Sequence, residues 1–77
     1  MDNLEVTNEE KIYIVRSKIK FLNEAIYNYD IDLQMFDLET GVDPEREPVI
    51  QMRQYKENAL RKKAALETIL AELLLND

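Results

Sequence analysis

Carboxylates are the most abundant reactive groups in this 77-residue chain, sixteen Asp and Glu against ten Lys and Arg, and seven of them fall between Asp30 and Glu47. Their spacing does not build a site. Asp30 and Asp32 stand two apart, which on a helix directs them about 200° from one another, too far to share an ion. Glu24, Asp30, Asp37 and Glu39 lack the Glu-x-x-His partners of a di-metal bundle, because the chain has no histidine. Asp43, Glu45 and Glu47 alternate, yet the glycine and ligand spacing of a calcium loop are missing. Ser17, the single serine, has no imidazole to take its proton. Cysteine is absent too, which removes thiol nucleophiles, thiolate metal ligands and disulfides together. The one glycine, Gly41, has no phosphate-loop sequence after it. These absences predict a protein that is not an enzyme and takes no metal or cofactor.

The cations invite a nucleic-acid reading: Arg61-Lys62-Lys63 and the Lys11–Lys20 segment, with Tyr13, Phe21 and Tyr55 as stacking surfaces. A net charge of −6 argues against it, since such binding depends on neutralising phosphates. Tyr13, Tyr27 and Tyr29 beside Arg16 and Lys20 would line a small-ligand site between subunits, but nothing in the spacing demands one.

The elements that must position these groups are helical. Residues 1–6 carry no sustained pattern and are expected to form a flexible N-terminal segment. Thr7-Asn8-Glu9-Glu10 reads as a capping box, the Thr7 hydroxyl taking the Glu10 N–H and the Glu10 carboxylate reaching back to the Thr7 N–H. From there Ile12, Val15, Ile19, Leu22, Ile26, Tyr29, Leu33 and Phe36 alternate three and four apart, a heptad seam that continues to Thr40. This predicts a first helix over about 8–40, closed by Gly41 in a left-handed conformation. Pro44 and Pro48 cannot both lie inside a regular helix, so residues 41–47 are expected to connect, with Asp43-Pro44-Glu45 able to form a turn of its own and Pro48 opening a second helix over about 48–75. Its seam is drawn through Met52, Tyr55, Ala59, Leu66, Ile69 and Leu73, with Lys62 in one slot.

Two long helices and a short connection predict an all-α antiparallel hairpin spanning residues 7–77. The pattern resembles coiled-coil hairpins in general, a likeness of spacing rather than of family. Folding about residue 44 sets Lys56 near Asp32, Lys63 near Ala25, Arg16 near Glu72 and Lys11 near Asp77, basic against acidic at both ends. Each exposed pair contributes only about 0.2–1 kcal/mol, so the pairs choose orientation more than they stabilise.

One seam does not use all the apolar residues. Tyr13, Ile14, Phe21, Tyr27 and Met35 on the first helix, and Leu60, Leu70 and Leu74 on the second, lie off the stripes just drawn. Surplus apolar helix surface marks an interface, and the expected occupant is a second copy, in a homodimer or larger helical bundle. A structural or adaptor module acting through self-association and protein–protein binding is the leading expectation. The alternative is a small acidic inhibitor, of the kind encoded by viruses and mobile elements. It would present Asp37, Glu39, Asp43, Glu45 and Glu47 to a basic protein surface and so block a nucleic-acid-handling enzyme by imitating a phosphate backbone. No run of residues is long and apolar enough to span a membrane, and the acidic start does not resemble a secretory signal, so a cytoplasmic location is expected.

Overall fold

The computed structural model describes residues 5–39, 43 and 45–76, and contains two α-helices, α1 (Asn8–Leu38) and α2 (Glu47–Leu75), packed antiparallel against each other. Good helix formers and the lack of internal Pro or Gly carry each rod. The start of α1 is fixed by its side chains. Thr7 is extended at φ −71°, ψ 164° and its Oγ1 accepts the Glu10 N–H at 3.1 Å. The same hydroxyl donates to Glu10 Oε1 at 3.0 Å, so the carboxylate closes the cap on the side chain, where the expected return bond was to the Thr7 N–H.

At its far end α1 stops at Leu38, two residues short of the expected boundary, with Glu39 extended and its N–H bonded to Phe36 O at 3.1 Å. Thr40, the expected left-handed Gly41 and the prolyl member of the Asp43-Pro44-Glu45 turn lie outside the described residues. Ahead of α2, Asp43 accepts twice: its Oδ1 from Glu45 N at 2.9 Å and its carbonyl from Arg46 N at 2.9 Å. Pro48 then sits in the first turn of α2, where a missing N–H costs nothing. Across the open end, Asn8 Nδ2 donates to Leu73 O at 3.3 Å and ties the start of one helix to the end of the other.

Inward-facing residues of α1 are Ile12 and Val15, buried, then Ile19, Leu22, Ile26, Tyr29, Leu33 and Phe36, half-buried. On α2 the inward face runs Val49, Met52, Lys56, Ala59, Lys63, Leu66, Leu70 and Leu73. Met52, Ala59, Leu66 and Leu73 are where the sequence pattern puts them, but their companions differ. Tyr55 and Ile69 are 51% and 44% exposed, and Lys62 is exposed, while the next residue along, at 56, 63 and 70, turns inward in each case. Either row keeps three-four spacing with Met52 and Ala59. Which one is used depends on the flank from which α1 approaches, and that is a long-range property.

The register also differs from a fold about residue 44. Tyr29 meets Tyr55, and Asp30 meets Lys56, which put the midpoints at residues 42 and 43. This slides one helix along the other by up to a turn, so Lys56 finds Asp30 instead of Asp32. The expected Lys11–Asp77 pair involves a residue outside the described set.

The result is a rod of 60 × 21 × 16 Å with a radius of gyration of 17.5 Å, against about 11 Å for a compact domain of this length. Its accessible surface is 6275 Å², against about 4,900 Å² for a globule of this mass. Among the described residues no large side chain is fully enclosed.

Candidate interaction surface

A two-helix rod leaves a groove along each side of its contact, and the two grooves here have different chemistry. On one side Ser17, Lys18, Phe21 and Leu22 of α1 and Lys62, Ala65 and Leu66 of α2 enclose an open groove of about 550 Å³, with leucines at its floor. Residues seven apart return to nearly the same face of a helix, so Ile14 and Met35 extend the Phe21 stripe, and Tyr55 and Ile69 extend the Lys62 stripe. All four are exposed, and Phe21 is 71% exposed. Tyr55 lies over the edge of the seam against Tyr29, ring centroids 6.1 Å apart and planes tilted by 37°.

On the other side Glu9, Ile12, Tyr13 and Arg16 of α1 and Leu74 of α2 line a smaller, more polar hollow of about 440 Å³. Tyr27 and Leu60 extend that side by the same spacing, and both are exposed. The eight residues expected at an interface therefore separate into three places. Ile14, Phe21 and Met35 lie on the first side, Tyr13, Tyr27, Leu60 and Leu74 on the second, and Leu70 in the seam between the helices. Tyr55 and Ile69 join the first side, which their assignment to the seam had hidden. The signal that would have found them was the α2 row Val49, Lys56, Lys63, Leu70, which satisfies the same spacing.

The charged groups are dispersed. Lys56 Nζ reaches Asp30 Oδ1 at 2.5 Å, with roughly a third of each side chain still in solvent. Arg61, Lys62 and Lys63 follow one another around the helix and point three ways: outward, along the first groove, and into the seam. They form no continuous cationic patch. Tyr13 and Arg16 share the second hollow, whereas Tyr29 faces Tyr55, so the three tyrosines do not converge on a ligand site. Asp37, Glu39, Asp43, Glu45 and Glu47 are all exposed around the turn. Among the described residues no three acids lie close enough together to hold a metal ion, and no helix is long and apolar enough to cross a membrane.

No family model matches the chain, and neither a curated protein nor a solved structure matches it.

Proposed function

We propose that this chain is a non-enzymatic helical interaction module of the cytoplasm, which completes its apolar core by coiled-coil-like self-association and offers its remaining surface to another protein. The observation that carries this reading is the surplus of apolar surface. Among the described residues, beside four buried apolar residues stand Phe21, Tyr13, Tyr27, Tyr55 and seven other large apolar side chains at least 44% exposed in the regions flanking the helices' contact and at their ends, with Val6 at 45% before α1. Single exposed leucines are ordinary, but stripes that continue for several turns on both helices are the mark of an interface. The sequence supports the non-enzymatic part, since the chain holds neither histidine nor cysteine.

Sedimentation equilibrium of the purified chain at micromolar concentration tests it. Twice the 9.1 kDa chain mass or more is expected, and a stable, well-folded monomer would remove the proposal.

A second reading, inhibition of a nucleic-acid-handling enzyme by charge mimicry, draws support from the placement of the acids. Asp37 lies in the last turn of α1, which has no basic residue, where the helix dipole disfavours negative charge. Acids kept at an unfavourable end are consistent with use in binding. Replacing Asp37, Asp43, Glu45 and Glu47 with lysine tests this, because loss of partner capture with an unchanged oligomer supports mimicry and unchanged capture ends it.

A further inference from the structure

The side of the hairpin that carries Phe21 has a charge order that is its own complement. Lys11, Lys18, Ala25, Asp32 and Glu39 recur every seven residues along this flank of α1, two cations, then a methyl group, then two anions. Lys11, Lys18 and Glu39 are exposed and Asp32 is half-buried. Among the described residues none of the four charged groups has an ion-pair partner within the chain. The row is antisymmetric about Ala25. Counted from the Tyr29–Tyr55 contact, Ala25 lies level with Ala59, which is 6% exposed, so small residues occupy both helices at the row's midpoint.

We infer that this side is a two-fold interface between copies of the chain, with α1 lying antiparallel on α1 of the second copy about an axis perpendicular to the rods and level with Ala25. The inference rests on the self-association reading above and adds its face, its orientation and its pairing. In that arrangement Lys18 meets Asp32 of the second copy and Lys11 meets Glu39, each pair occurring twice by symmetry. The methyl of Ala25 admits close approach at the axis, and the apolar row Ile14, Phe21 and Met35 alongside leaves water. Laying α1 on α2 of the second copy, the other two-fold choice, brings Lys18 against Lys62, two like charges that already share one groove. Opposed charge selects the first arrangement and penalises the second. A face 60 Å long and 21 Å across at most has room for the roughly 800 Å² per partner that a stable interface uses.

Two charge-reversed full-length chains test this at low ionic strength by sedimentation equilibrium. One carries Lys11→Glu and Lys18→Glu, the other Asp32→Lys and Glu39→Lys. The altered side chains are mainly exposed and none of the changes opposes the helix dipole, so circular dichroism should report helices intact. Each chain alone should dimerise more than about tenfold more weakly than the parent, as four attractive pairs become repulsive. An equimolar mixture should recover a heterodimer. A parent chain that dimerises while both variants do so equally well, or a mixture that does not recover, overturns the pairing and leaves self-association standing. A parent chain that stays monomeric removes both. As a second measurement, Ala25→Cys should oxidise to a covalent dimer faster than Tyr27→Cys; the reverse order contradicts the axis.

Discussion

Lys56 occupies an inward-facing position of α2 and delivers its ammonium to the carboxylate of Asp30 on α1, 2.5 Å away. The pair sits about a third in solvent, one residue from the Tyr29–Tyr55 contact, so a charge pair and a ring pair fix the same level of the rod. Register is what such a pair contributes. Pairing by aliphatic groups alone tolerates sliding by a turn, whereas a cation in a seam accepts few alternative positions. Replacing Lys56 with leucine should therefore leave stability unchanged or slightly raised, by less than about 1 kcal/mol in urea denaturation. The same variant should broaden the distances between spin labels on α1 and α2. A sharp, unchanged distance would show that Asp30–Lys56 does not set the register.

The cap at Thr7 is a local device with a local cost. Thr7→Ala removes an acceptor for the Glu10 N–H and a donor to the Glu10 carboxylate. A loss of about 1 kcal/mol is expected in denaturant unfolding, with faster amide exchange confined to the first turn of α1. Unchanged exchange at Glu10 would contradict the cap.

The buried end of the seam should respond very differently from the exposed stripes. Ile12→Ala removes a largely buried side chain and should cost about 2–3 kcal/mol. Ala59→Leu forces extra volume between helices in close contact and should cost about 1–3 kcal/mol. Tyr27→Ser, at 67% exposure, should change stability at low protein concentration by less than about 0.5 kcal/mol. Equal losses at Ile12 and Tyr27 would mean that the described seam is not the core.

If the chain completes its core with a second copy, its melting temperature must rise with protein concentration, because assembly draws on the folded form alone. Phe21→Glu should flatten that dependence, while leaving the melting temperature at the lowest concentration close to the parent's. A parent melting curve independent of concentration over a hundredfold range would count against assembly.

At the C-terminal end of α1, Asp37→Lys exchanges a charge that the helix dipole disfavours for one that it favours, in a last turn with no basic residue. Stability should increase by about 0.3–1 kcal/mol, an effect that fades in high salt. Thermal unfolding at two ionic strengths checks both statements.

Much of this structure is legible in the sequence. Local chemistry fixes local structure: Thr7 and Glu10 make a cap wherever the chain is, and Pro48 suits only a first turn. The row from Ile12 to Phe36 is apolar at each slot of a three-four alternation, so α1 has one face to bury, and that face is the one buried. Along α2 the pattern was ambiguous. Met52, Ala59, Leu66 and Leu73 pair equally well with Tyr55, Lys62 and Ile69 on one flank or with Val49, Lys56, Lys63 and Leu70 on the other. Apolar content leans toward the first row, which has one lysine against two in the second, yet the second is the row turned inward. Only the approach of α1, which brings Asp30 to Lys56 and Tyr29 to Tyr55, decides between them. Spacing along one helix is written in its own residues, but the flank it turns to its neighbour depends on contacts made across the whole hairpin. That choice moves Tyr55 and Ile69 from the core to the Phe21 side, and it could be read only from the packed pair.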